Sequence, residues 1–248
     1  MADAKSKVTE LLKAVGSGDM QPFGVIHPSR YVQHNLGLGD GLSGLMSALQ
    51  GLEPGSVQIR PVRVFRDGNF VFAHTDSDFF GPRTGFEIFR FEDGMIVEHW
   101  DNGQETAGPN SSGHGMSDGP VQTSGLGDTA ANKALVRRFV DDILVARRMD
   151  RLSTYFDGDR YVQHNPHIGD GVASLAAALG SFPIAYDHVH MVLGEGNFVL
   201  VVSEGRLSDQ PTAFYDLFRV ENDRIAEHWD TLETIPPRDQ WKNANGKF

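Results

Sequence analysis

Residues 30–41 read RYVQHNLGLGDG and residues 160–171 read RYVQHNPHIGDG, nine identities in twelve positions at an offset of 130. A second pair keeps the same order: FRFEDGMIVEHWD ending at Asp101 and FRVENDRIAEHWD ending at Asp230, offset by 129, with GNFV at 68 and 196 between. A period of this length is one small domain rather than one solenoid repeat, so the chain reads as a tandem duplication in which each half buries its own core. The polar stretches Gln-His-Asn and Glu-His-Trp-Asp match best between the halves. A core can drift among Leu, Ile and Val, whereas a polar pocket cannot exchange His for Asn without changing its chemistry. Function is therefore sought in these two segments.

The 248 residues suit two domains, each of about 100 to 120 residues and large enough to bury a core without staples. With no cysteine, disulfides, thiolate metal sites and a cysteine nucleophile are excluded, and a reducing, cytoplasmic setting is expected. No apolar run nears the roughly 18 residues of a membrane span, and the start MADAKSKVTE lacks a signal-peptide core. The formal charge of −11 comes from dispersed acids, so no basic stripe exists to engage nucleic acid.

Each half opens with a helix. Val8, Leu11, Leu12 and Val15 fall on one helical face, and Leu135, Val136, Phe139, Val140, Ile143 and Leu144 form a wider stripe after Asp128-Thr129. After the Gln-His-Asn segment, Asp40 and Asp170 stand where a carboxylate would cap a short helix. Hairpins then follow around Gly-containing turns, giving helices first and an antiparallel sheet after, an α+β order. Residues 102–127 hold seven Gly, four Ser and two Pro and read as a linker with His114 and Met116 incidental, an extended loop packing on a domain being the alternative. The expected boundaries are therefore 1–101 and 128–236 for the domains, and 237–248 for a tail lying across the surface with Trp241 as its anchor.

Strand parity sorts the polar candidates, because residues two apart share a face about 6.5 to 7 Å apart. The row Phe214, Asp216, Phe218, Val220 is apolar except for one acid, as is Gly85, Glu87, Phe89, Phe91 in the first half. His228 and Asp230 share one face of the last strand, Glu227 and Trp229 the other. An acid among phenylalanines has its charged form destabilised, which suits it to proton transfer near neutral pH. His164 and Asn165 are expected at the same pocket, with Gln163 and Gln33 on the opposite strand face. Tyr161 and Tyr31 would be pocket walls, while His74, His188 and His190 read as structural residues.

At YVQHNP, the DG before the short helix, YDLFRV and RIAEHWD, the second half resembles the SnoaL-like branch of the NTF2-like superfamily, in particular its aldol-condensation-catalysing and polyketide cyclase group. The first half resembles it less closely, with Leu36 in place of Pro166 and Glu87 in place of Asp216. The resemblance implies two tandem cone-shaped α+β barrels that pair through their sheets, as an intramolecular pseudo-dimer or a homodimer. It also implies proton chemistry beside a carbonyl, with no metal and no organic cofactor.

The function expected is a cofactor-independent lyase or isomerase for a small apolar carbonyl compound. Asp216 would be the base, His164, Asn165 and His228 would hold the enolate oxygen, and Asp230 would orient His228. Tyr161 and Glu204 would contact the ligand in the second half, and Tyr31, His34, Asn35, Glu87, His99 and Asp101 in the first. Two alternatives stay open: a module that only binds a small molecule, and a metal site of His164, His228 and Asp230. Relatives on this fold include both enzymes and binding domains, so the fold alone does not choose among them.

Overall fold

The structure, a computed structural model, describes residues 3–248. It divides into two units, one made of Met1–Glu105 with Ile235–Phe248 and the other of Thr106–Thr234. The first contains α1 (Ala4–Ala14), β1 (Val32–Gln33), α2 (Gly41–Leu49), β2 (Val57–Asp67), β3 (Phe70–Phe79), β4 (Pro82–Glu92) and β5 (Met95–Glu105). The second repeats the order with α3 (Thr129–Phe139), β6 (Val162–Gln163), α4 (Val172–Ser181), β7 (Ile184–Glu195), β8 (Phe198–Leu207), β9 (Gln210–Glu221) and β10 (Arg224–Thr234).

The sheets run β1-β5-β4-β3-β2 and β6-β10-β9-β8-β7. The two-residue strand is parallel to its neighbour, and the long strands are antiparallel. Each unit is thus an α+β arrangement of helices and one five-stranded sheet, and the two follow one another along the chain.

Apolar periodicity builds each core. Val8, Leu11 and Leu12 of α1 pack with Val71, Ala73, Phe89 and Phe91 of the first sheet. Val136 and Phe139 of α3, with Ile143 and Leu144 of the π-helical turn Val140–Val145, pack with Val199, Val201, Phe214 and Phe218. Two tight hairpins place left-handed residues side by side, Asp93-Gly94 (φ 50° and 78°) and Asn222-Asp223 (φ 50° and 57°), as a turn that follows the strand twist requires.

Two local expectations are corrected. Asp40 stands at the N-cap of α2 and Asp170 one residue before that of α4, but neither carboxylate makes a capping hydrogen bond: each turns back, accepting the backbone N–H of Gln33 (3.2 Å) or Gln163 (2.9 Å) through Oδ1. The amides at the start of α4 are taken instead by Asp159. The segment after β5 is also more than a spacer. Although residues 106–125 contain no helix or strand, Asn110 donates to the carbonyls of Gln163 and Ile168, and His114 pairs with Asp170. The tail is held likewise in the first unit, where Asn243 donates to Asn35 O and Leu38 O and Asn245 to Gln33 O. The Trp241 indole donates to Pro236 O at 2.7 Å.

A candidate acid–base site in the second unit

Asp216 and Asp230 are directly paired residues of β9 and β10, and Gln163 of β6 is registered beside His228. Register therefore brings four polar side chains to one face. They lie at one end of a cavity of about 460 Å³ whose other walls include Phe139, Leu175, Leu179, Phe182 and Phe218. Tyr161, Asn165 and Tyr186 complete the polar end.

Gln163 decides the protonation pattern. Its Oε1 accepts the backbone N–H groups of His164 (2.9 Å) and Asn165 (3.0 Å), which can only donate, so this atom is the carbonyl oxygen. His228 Nδ1 lies 3.0 Å from the same oxygen and must therefore carry a hydrogen. That leaves Nε2, 3.0 Å from Asp216 Oδ1, to share one proton with the carboxylate. Tyr186 donates to both Asp216 oxygens at 3.2 and 3.3 Å. Gln163 Nε2 donates to the Tyr161 hydroxyl at 3.0 Å, so the Tyr161 O–H remains a donor.

Burial alone would lower the His228 pKa, but the hydrogen bond to Asp216 and the charges of Asp230 and Asp216 outweigh it and hold the imidazole above its ordinary value. Burial pushes Asp230 upward, opposed in part by His228. Its two oxygens take the Asn165 amide at 2.7 and 3.0 Å. Burial also keeps Tyr161 and Tyr186 protonated, well above the usual phenol range. The site thus holds a proton-sharing Asp216–His228 pair beside a buried carboxyl group, Asp230, whose pKa lies above the ordinary carboxylate value.

Of the expected residues, Asp216, His228, Asn165, Asp230 and Tyr161 converge here. His164 does not. Its ring stacks on Trp229 with centroids 4.7 Å apart, while Nε2 meets Glu227 at 2.8 Å and Nδ1 meets Gly115 O at 2.8 Å. It belongs to the opposite face, together with Arg219, which pairs with Glu227 at 2.7 Å. Glu204 is also turned away, next to His190 at 3.0 Å, because the inward row of β8 is Val199 and Val201. His228 is oriented by Gln163 rather than by Asp230.

The missed residues are Gln163 and Tyr186. Parity could have found the first, since Tyr161, Gln163 and Asn165 are two apart and His164 lies between them. Tyr186 has no counterpart to signal it, because the strand register puts Ile59 at its place in the first unit.

The first unit repeats the framework. His99 Nδ1 meets Gln33 Oε1 at 3.0 Å and Nε2 meets Glu87 at 2.7 Å, while Asn35 donates to Asp101. His34, like His164, stacks on a tryptophan, Trp100, and pairs with Glu98 at 3.0 Å. Tyr31 accepts from Gln33. Each unit could also seat a cation: Asp216, His228 and Asp230 offer ligand atoms within 4.8 Å of one another, as do Glu87, His99 and Asp101. The expected trio of His164, His228 and Asp230 is not assembled.

No family model matches the chain, and no curated protein matches it. Solved structures similar to it include a proposed ketosteroid isomerase from Kribbella flavida, at 18% identity and a TM-score of 0.39, covering 44% of this chain and 84% of that one. An LEH-like epoxide hydrolase from M. tuberculosis follows at 19% identity and 0.35, covering 43% and 85%. An NTF2-like protein of unknown function from Cytophaga hutchinsonii has 16% identity and 0.37, covering 46% and 95%. Each likeness spans less than half of this chain, and at these levels it says nothing of activity. Among the described residues no helix is long and apolar enough to cross a membrane.

Proposed function

We propose that the second unit is a cofactor-independent acid–base site, of the lyase or isomerase kind, for a small apolar carbonyl compound. The observation that carries this reading is the Asp216–His228 pair at the polar end of an apolar cavity, with one proton between them fixed by Gln163. Asp216 takes a proton α to the carbonyl as the shared proton moves fully onto His228 Nε2. The Tyr161 O–H, left free to donate by the Gln163 amide, donates to the developing enolate oxygen.

The test needs no natural substrate. Exchange of the α-protons of β-tetralone, a neutral apolar ketone, is followed by NMR in D₂O. Wild type accelerates the exchange, and Asp216→Asn, which keeps shape but removes the base, lowers the acceleration by about 100-fold or more. Equal exchange in the two proteins rejects Asp216 as the base; binding of the ketone without exchange in either favours a module that only binds.

A second reading, a divalent cation held by Asp216, His228 and Asp230, is favoured by the same cluster. It is separated by chelation: proton chemistry is indifferent to EDTA, whereas a metal site loses exchange and regains it with added zinc.

A further inference from the structure

The two units share the Gln–His–carboxylate framework, yet their polar ends differ in one charge. In the first unit the tail returns along the Gln-His-Asn segment: Lys242 N donates to Leu36 O at 2.9 Å, Asn245 to Gln33 O at 2.9 Å, and His34 Nδ1 meets Gly246 O at 2.9 Å. The next residue, Lys247, has a side chain only 2% exposed, with Nζ 3.7 Å from Asp101 Oδ1.

Residues 110–116 follow the same course in the second unit. Gly115 O meets His164 Nδ1 as Gly246 O meets His34 Nδ1, and His114 reaches Asp170 as Asn245 reaches Asp40. The residue after Gly115 is Met116, which is buried and carries no charge. A lysine in the first unit thus stands where the second has a methionine.

The first site is also the more open one. The side chains of Glu87 and Asp101 are 17% and 19% exposed, against 2% for Asp216. Helix α2 has no fully buried residue, although Leu42, Leu45, Met46 and Leu49 all pack against the core. Leu45 and Leu49 correspond to Leu175 and Leu179, which wall the cavity of the second unit. By that correspondence α2, apolar and partly wet, would wall a hollow beside the Glu87, His99 and Asp101 cluster.

We propose that the first unit is a second ligand site, completed by the C-terminal arm, and that Lys247 makes it selective for apolar molecules bearing a carboxylate or another anionic oxygen. With both imidazoles protonated, the groups Glu87, His99, Asp101 and Lys247 balance, whereas Asp216, His228 and Asp230 leave one negative charge. An anion entering the second site meets net repulsion; at the first it meets a cation held in a poorly solvated position, where Coulomb attraction is weakly screened. The same ring carried by a neutral amide lacks that preference. The proposal is independent of the reading of Asp216 as a base.

The test uses the full chain labelled with ¹⁵N and two matched probes, 2-naphthoate and 2-naphthamide, followed by NMR at His99 and His228. The naphthoate is expected to shift His99 at concentrations at least tenfold below those that shift His228, with the amide showing no such bias. Lys247→Met, which copies Met116, is expected to weaken naphthoate binding at His99 by tenfold or more while leaving the amide at His228 unchanged. Lys247→Arg restores most of the binding. Equal naphthoate affinity in wild type and Lys247→Met, naphthoate binding first at His228, or no naphthoate binding at His99 each overturns the proposal.

Discussion

A single buried amide organises the chemistry of the second unit. Gln163 Oε1 collects three N–H groups, two from the backbone and one from His228; the His164 N–H also reaches His228 O at 3.0 Å, so loss of the glutamine strands the Asn165 N–H and His228 Nδ1. Since each buried unsatisfied group costs roughly 1 to 3 kcal/mol, Gln163→Leu should destabilise the protein by about 2 kcal/mol or more, measured by urea unfolding. Gln163→Glu keeps the acceptor and adds a charge beside the imidazole. It should retain most of the stability and hold His228 protonated to higher pH than in wild type, read from its ¹⁵N shifts. A His228 titration unmoved by Gln163→Glu would separate the glutamine from the protonation pattern. His164 contrasts with this at the same scale, since its hydrogen bonds run to Glu227 and Gly115 rather than into the cavity.

At the scale of elements, β9 and β10 set two carboxylates opposite each other with one imidazole between them, and stability inherits a pH dependence from that pairing. His228 is raised above its unfolded value of 6.5 and Asp230 above 3.8. A raised group contributes stability that is complete below the unfolded value and lost as pH climbs through the folded one. Asp230 thus removes stability as pH rises above about 4 and His228 as it rises above about 6.5. Urea unfolding from pH 6 to 9 should show a fall in wild type that His228→Gln flattens; an unchanged slope would place the titrating group elsewhere. The arm segments belong to this scale too. Asn110 donates to Gln163 O at 2.6 Å and Ile168 O at 3.0 Å, so Asn110→Ala should cost about 1 to 3 kcal/mol, whereas replacing a residue in an idle linker would cost nothing measurable.

Much of this was legible along the chain because the period-2 rule is local. The rows of β9 and β10 followed from alternation alone, as did the helical stripes that became the cores. Alternation also separated Gln163 from His164, but not which of them faces inward: β6 is two residues long, and its facing is fixed only by parallel pairing with β10. The arm contacts were illegible for a different reason. Asn110, Asn245 and Lys247 act through carbonyls and a carboxylate distant in sequence, and a Gly-rich composition looks the same whether the segment is solvated or docked.

Over the whole molecule, the duplicated motif divides into two jobs within each unit. Gln163, Asn165, His228 and Asp230 face the cavity, while on the other face His164 meets Gly115 O and Trp229 donates to Asp118 O of the returning segment; in the first unit Gln33, Asn35, His99 and Asp101 cluster likewise, and His34, which meets Gly246 O, stands apart from them with Glu98 and Trp100. Two histidines retained together in each half thus serve different faces. The most direct measurement compares them in the β-tetralone exchange assay, using His228→Gln and His164→Gln in the full chain, each checked for folding by circular dichroism. His228→Gln should lower exchange by about 100-fold, in the range removed with a general acid–base group, while His164→Gln should stay within about threefold of wild type. An equal loss in both variants, or a loss confined to His164→Gln, would contradict the account.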